Sequence, residues 1–230
     1  LALTIPAATA GAADLLLGAN QRLDGAAADD DAARSIAPAG DVNGDGIDDM
    51  IIGAPDADHL GRNLSGAAYV VFGSATPTAT IDLSALGSRG FTIGGSAAGD
   101  LAGTAVAAAG DLNSDGFDDV VVGAPEADFN LRDRSGSVYV VFGGPSPSDL
   151  DLATLGSRGA RIDGAATDDR LGRAVAGAGD TDGDGWFDVV AGAPGANAAW
   201  VARGPFAGTL DLFSPGAAAY RINAEPNGNG

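Results

Sequence analysis

The chain contains no cysteine and no lysine, and only one histidine and one methionine among its 230 residues. Without cysteine there is no disulfide framework, no thiolate nucleophile and no sulfur-ligated metal site, and the redox compartment cannot be read from thiols. A single histidine, His59, excludes a histidine-rich metal centre. With no Cys or Lys either, no nucleophile–base pair of the kind covalent catalysis requires presents itself in the sequence. Cations are scarce: 12 arginines face 29 aspartates and 2 glutamates, for a formal charge of −19. That imbalance excludes nucleic acid as a partner, because phosphate contacts need clustered basic residues. It suits solubility or salty surroundings. No apolar run reaches the roughly 18–20 residues of a membrane span. The apolar segment 1–17 lacks the basic start of a signal peptide, and reads as the end of a preceding repeat.

What the chain does have is repetition. Its hydrophobic content of 45% argues for a folded core. One acidic loop of nine residues occurs three times: DVNGDGIDD at 41–49, DLNSDGFDD at 111–119 and DTDGDGWFD at 180–188. Copies spaced by about 70 residues mark a large internal repeat. Carboxylate or amide oxygens stand at loop positions 1, 3, 5 and 9, with glycine at position 6. A cage of oxygens around a sharp turn is what a hard cation such as Ca²⁺ requires. The spacing is that of the start of an EF-hand without its glutamate at position 12, and strand residues follow at once, so a hairpin loop is expected.

Aligned on that loop, the copies share one plan. Gly25, Gly95 and Gly164 are each followed five residues later by Asp30, Asp100 and Asp169, expected as turn caps. A small-residue run enters the loop (SIAPAG, AVAAAG, AVAGAG). A β-branched run leaves it and ends in Gly-Ala-Pro (MIIGAP, VVVGAP, VVAGAP). A third run carries Tyr69 to Gly73, Tyr139 to Gly143 and Trp200 to Gly204. A fourth closes the unit at Phe91, Arg161 and Tyr220. Short apolar runs separated by Gly, Pro, Asn and Asp clusters are strands with tight turns. Segments 83–86 and 150–155 are candidates for single helical turns. Small residues on the first strand and bulky ones further out suit a wedge-shaped blade. The expected fold is therefore all-β, with β-propeller-type blades of four antiparallel strands. About three blades form an open arc or part of a larger propeller. The division is 1–24 as the end of a preceding blade, 25–94, 95–163 and 164–224 as blades one to three, and 225–230 as a tail.

These residues resemble the FG-GAP repeat, the unit of the integrin alpha-subunit β-propeller and of many bacterial surface proteins. Gly53-Ala54-Pro55 with Phe72-Gly73, and Gly123-Ala124-Pro125 with Phe142-Gly143, carry both halves of that name. Gly192-Ala193-Pro194 keeps the first half, whereas Arg203-Gly204 departs from the second. The resemblance implies three Ca²⁺ sites on the loops joining the first two strands of each blade. Site one would use the side chains of Asp41, Asn43, Asp45 and Asp49 with the Ile47 carbonyl. Site two would use Asp111, Asn113, Asp115 and Asp119 with the Phe117 carbonyl, and site three Asp180, Asp182, Asp184 and Asp188 with the Trp186 carbonyl. Asp48 and Asp118 are read as bystanders, since position 8 of the third loop is Phe187. Site three, with four carboxylates against three, is expected to bind tightest. The bound ions would pin hairpins and do no catalysis.

On the opposite face, loops 56–65 and 126–135 carry His59, Arg62, Phe129, Arg132 and Arg134, where the resemblance places ligand and subunit contacts. Solvated loop residues are the plainer reading of each. Asn63-Leu64-Ser65 matches a glycosylation triplet, but a lysine-free, Ala/Gly/Arg-rich composition points to a GC-rich bacterial genome and against the sugar. Three blades do not close a ring, so the chain is expected to be an oligomer or part of a longer polypeptide. The reading is a non-enzymatic, calcium-stabilised adhesion or interaction module of a secreted or cell-surface protein. Its partner would be a protein, a glycan or copies of itself. The alternatives are a structural subunit whose arcs assemble into a ring or filament, and an accessory domain of an extracellular hydrolase.

Overall fold

β-Branched side chains crowd a helix but pack well on a pleated surface, and each such run of the sequence is a strand. The structure is a computed structural model and describes residues 15–17, 21–76 and 80–224. The expected tail 225–230 and most of segment 1–24 lie outside the described residues. Among those described there is no α-helix, only strands and short 3₁₀ turns, and no helix long and apolar enough to cross a membrane.

Repeat one is the antiparallel meander β3 (Ser35–Gly40), β4 (Asp49–Ala54), β5 (Ala67–Val71) and β7 (Gly90–Gly94). Repeat two follows as β8 (Ala105–Gly110), β9 (Asp119–Ala124), β10 (Ser137–Val141) and β12 (Gly159–Asp163). Repeat three is β13 (Ala174–Gly179), β14 (Asp188–Ala193), β15 (Ala198–Ala202) and β17 (Ala219–Asn223). Before them, β1 (Leu15–Leu17) pairs antiparallel with β2 (Gln21–Asp24), as the outer strands of a preceding blade would. The first strands β3, β8 and β13 lie side by side. Their small residues permit that approach: a Cβ on Gly177 would lie 2.8 Å from Ala109 Cα. The blades are thus arranged as an open arc of β-propeller type.

Each connection between third and fourth strands makes an excursion that four-strand patterning does not reveal. In repeat two it lays β11 (Leu150–Asp151) parallel to β7 of repeat one, with Leu150 opposite Ile93. In repeat three, β16 (Gly208–Asp211) runs parallel to β12 of repeat two, and in repeat one β6 (Thr80–Asp82) runs parallel to β2. Two sheets consequently have five strands, the fifth donated by the following repeat. The candidate helical turns sit at the ends of these excursions, as 3₁₀ turns at Leu83–Ala85 and Leu152–Thr154 capped by Asp82 and Asp151. Residues Leu150 and Asp151, assigned to the second turn from sequence, are strand instead.

Both faces of a middle blade are covered, which is why β9 and β10 are buried at every position. Alternate residues serve different neighbours. Ile51, Val70 and Phe91 pack with Val120, Val122 and Tyr139 between repeats one and two. Val121, Val138 and Ile162 meet Val189, Trp200 and Leu212 between repeats two and three. Ile52, Tyr69 and Val71 cover Leu23 and Ile81 on the other side of repeat one. Repeat three has one covered face only: β17 is buried at Ala219 and exposed along the rest of its length.

Candidate metal centres and the opposite loop face

A hairpin loop rich in aspartate must point its carboxylates somewhere, and here they turn back on the loop's own amides. In loop one Asp41 Oδ1 accepts from the amide of Asp45 at 2.9 Å and Oδ2 from Gly46 at 2.8 Å. Asn43 Oδ1 accepts from Asp45 at 2.9 Å, and Asp45 Oδ1 from Ile47 at 2.9 Å. Loop two repeats the pattern with Asp111, Asn113 and Asp115, and loop three with Asp180, Asp182 and Asp184. Position 6 takes a left-handed backbone in every copy (φ 84°, 92° and 94° at Gly46, Gly116 and Gly185), which is why glycine stands there.

Positions 1, 3 and 5 are thereby gathered on each loop. In loop three one carboxylate oxygen from each of Asp180, Asp182 and Asp184 lies within 4.8 Å of the others. Oxygens about 2.3–2.6 Å from a shared Ca²⁺ span up to about 5 Å, so this donor set fits that ion. Amides of Gly185, Gly183 and Asp184 hold the Asp180 carboxyl below the ordinary aspartate value.

Position 9 is placed differently. Asp49 is buried beneath its loop, where Oδ2 accepts from the Val42 amide at 3.0 Å and Oδ1 from the Gly73 amide at 2.8 Å. Asp119 does the same with Leu112 at 2.7 Å and Gly143 at 2.9 Å. Asp188 bonds the amides of Thr181 and Gly204 and accepts from the Thr181 hydroxyl. The carboxylate therefore ties the loop to the glycine that ends the third strand, a role the sequence reading did not assign. Its signal was the constant interval, 24 residues in both of the first two copies. Burial, partly offset by these amide bonds and reinforced by neighbouring carboxylates, pushes Asp49 up to about 6 and Asp119 up to about 7.

Among the position 7 residues, Phe117 lies over loop one, its ring 2.4 Å from where a Cβ on Gly44 would be. Trp186 lies against Gly204 and Ile47 against Gly73. Of the two bystanders, Asp48 is exposed, but Asp118 is engaged: its Oδ2 accepts from the Asp41 amide at 2.8 Å. Arg203, which replaces phenylalanine, sets Nε 3.2 Å from Asp182 Oδ2 and stacks 5.0 Å from the Tyr220 ring. The extra carboxylate of site three, Asp182, is thus matched by an arginine on the same blade.

At the other end of the strands the loop residues reach into the next repeat. Arg62 pairs with Asp151 at 2.7 Å, Arg132 with Asp211 at 2.6 Å and Arg134 with Asp168 at 2.5 Å. Phe129 is covered by the Arg161 guanidinium, 3.7 Å from its centroid. His59 packs on Gly94, and burial lowers its pKa. Asp100 and Asp169 cap their turns, accepting from Ala97 at 3.0 Å and Ala166 at 2.9 Å. Leu60 and Leu131 stand at the loop tips, 72% and 102% exposed, both in left-handed backbone.

Residues 32–71, 102–141 and 171–213 match the FG-GAP repeat family, each match running from before the first strand through the cation loop and the Gly-Ala-Pro turn. The chain is similar to phosphatidylinositol-glycan-specific phospholipase D of Rattus norvegicus, 32% identical over 156 residues, covering 67% of this chain and 17% of the relative. It is also similar to integrin alpha-5 of Xenopus laevis, 32% identical over 173 residues (71% of this chain, 15% of the relative). Integrin alpha-IIb of Homo sapiens is 33% identical over 175 residues, with the same coverage of 71% and 15%. The chain thus spans between 15% and 17% of the length of these relatives.

Proposed function

Because this chain belongs to the FG-GAP repeat family, we propose that it is a calcium-stabilised, non-enzymatic interaction module of a secreted or cell-surface protein. One observation carries the reading: in three successive repeats the side-chain oxygens of loop positions 1, 3 and 5 are folded into the same inward arrangement at the same end of the blades. Carboxylates so grouped repel one another unless neutralised, and Ca²⁺ would supply that neutralising charge. A flexible, multidentate protein cage suits this ion better than the smaller Mg²⁺. The face opposite, built from loops 56–65 and 126–135, is the proposed docking face for a protein or glycan. Loops on a rigid scaffold are where binding concentrates, and the exposed tips Leu60 and Leu131 give this face an apolar element among paired charges. His59, packed on Gly94 beside Arg62, is not poised as a catalytic base.

Extracellular Ca²⁺ modules bind with Kd of about 10⁻⁴–10⁻³ M. At ten times Kd each site adds about 1.4 kcal/mol. Thermal unfolding in millimolar Ca²⁺ is therefore expected to shift upward by several degrees relative to excess chelator, with saturable heat on titration. Identical melting in both conditions, with no heat of binding, would overturn the reading.

A second reading, assembly of arcs into a ring or filament, is favoured by one specific feature. Tyr220 and Ile222 are 37% and 49% exposed on β17, whereas Ala160 and Ile162, at the corresponding registers of β12, are buried under repeat three. Light scattering distinguishes the two: a Ca²⁺-dependent oligomer supports assembly, and a monomer supports the interaction module.

A further inference from the structure

We propose that cation sites one and two fill cooperatively and that Asp118 is the positioning residue linking them; the proposal rests on the calcium reading above. Asp118 stands between Phe117, whose carbonyl the resemblance assigns to site two, and Asp119, which anchors loop two to Leu112 and Gly143, yet its side chain bonds loop one. Its Oδ2 accepts from the Asp41 amide at 2.8 Å, and its own amide donates to the Asp41 carbonyl at 3.2 Å. The chain beyond β10 adds a third link, from the Gly144 amide to the Val42 carbonyl at 2.9 Å. Phe117 closes over Gly44 from the same direction. Gly40, in left-handed backbone at φ 73°, leaves room for Asp118: a Cβ there would lie 2.1 Å from its Oδ2.

Asp41 is the first residue of loop one and holds that loop's turn through the amides of Asp45 and Gly46. An ion that fixes residues 117–119 therefore fixes the main chain from which the site-one donors project. Part of the ordering cost of site one is already met when site two is full, and a second ligand entering an ordered site binds more tightly. Coupling of this kind is reciprocal. The junction between loops two and three is built differently. There position 8 is Phe187, which meets Gly110 through its ring. Site three is thus expected to titrate on its own.

The test is Ca²⁺ calorimetry on the full chain with site three silenced by Asp180→Asn and Asp184→Asn. The remaining two sites are expected to fill with positive cooperativity. Asp118→Ala should weaken site one about three- to tenfold, the worth of one backbone-anchoring hydrogen bond, and reduce the cooperativity, the main-chain links remaining. Asp118→Asn keeps an acceptor for the Asp41 amide and should retain most of it. Emptying site two with Asp111→Asn and Asp115→Asn should weaken site one by a similar factor. The proposal is overturned if site one is indifferent to the state of site two. It is also overturned if Asn and Ala at 118 are equally harmful, which is a pure charge effect. A third overturning result is a lower melting temperature in chelator with Ca²⁺ affinities unchanged, which is a structural staple only. Absence of saturable binding at every loop of the unmodified chain is a different result, and overturns the calcium reading itself.

Discussion

Arg62 reaches out of its own repeat to place Nη2 2.7 Å from Oδ1 of Asp151, the residue that ends the strand donated by the next repeat. Arg132 and Asp211 repeat the arrangement one blade later. The donated strands β11 and β16 have two and four residues, too few to hold by hydrogen bonds alone, and the arginine clasps each at its end. The loop arginines hold blades together, whatever else they meet.

This clasp is expected to be cooperative. Arg62 and Asp151 are about three-quarters buried, with side-chain exposures of 24% and 22%. Arg62→Ala and Asp151→Ala should each destabilise the fold, with a coupling of about 0.5–1.5 kcal/mol in a double-mutant cycle. Urea unfolding in saturating Ca²⁺ measures it, and additive losses would show that the pair is incidental. Although burial opposes it, the Arg62 bond and the Ala153 amide hold Asp151 below the ordinary aspartate value. A depressed carboxyl contributes its stability above the unfolded pKa of about 3.8 and loses it as pH falls through the folded value. The coupling should therefore persist at pH 5 and be lost progressively as the pH is lowered past the folded value, below 3.8.

Asp100 has the opposite sign. Burial raises its carboxyl, the Ser96 hydroxyl and Ala97 amide oppose that, Asp128 adds to it and Arg62 subtracts from it. A raised carboxyl lends stability below the unfolded value of about 3.8 and loses it as pH rises through the folded one. Asp100→Asn keeps an acceptor for Ser96 and Ala97 without the charge. It should stabilise the fold at pH 8 relative to its effect at pH 4. Equal effects at both pH values, by chemical denaturation, would contradict the assignment.

Repetition made the strands and the three acidic hairpin loops legible in the sequence, because three aligned copies separate β-branched runs from turn clusters. The inter-blade contacts were not legible. Leu150 and Asp151 show no periodicity of their own, and their partners Ile93 and Gly94 lie in the preceding repeat. Asp118 looked like surplus charge beside a ligand because its partner, the amide of Asp41, is 77 residues away. Arg203 looked like a lost phenylalanine until its approach to Asp182 was seen. In each case the repeat reports what a blade is made of, while the missing information concerns what touches the next one.

Arg203 stands beside the proposed third cation site. The expectation that four carboxylates make it the tightest is offset by a guanidinium 3.2 Å from Asp182. Arg203→Phe restores the residue of the earlier copies and leaves Asp182 for the ion. Terbium luminescence sensitised by Trp186, which belongs to that loop, should show tighter binding by about two- to fivefold, the scale of a partly exposed charge contact. Unchanged affinity would place Arg203 outside the site's electrostatics.

The Gly-Ala-Pro glycines give the sharpest contrast. A Cβ on Gly53 would lie 2.0 Å from the Gly103 carbonyl oxygen, and one on Gly123 2.0 Å from that of Gly172. Both oxygens are backbone of the next repeat's entry segment, which cannot swing aside as a side chain would. At Gly192 the nearest atom to such a Cβ is Ala174 Cβ at 3.6 Å, an ordinary contact. Gly53→Ala and Gly123→Ala should therefore cost about 1–3 kcal/mol, the range of overpacking, whereas Gly192→Ala should stay within about 0.5 kcal/mol. Denaturant midpoints of the three variants decide it. If Gly192→Ala is as damaging as the others, the glycine is needed by the strand itself and not by the neighbour that closes over it.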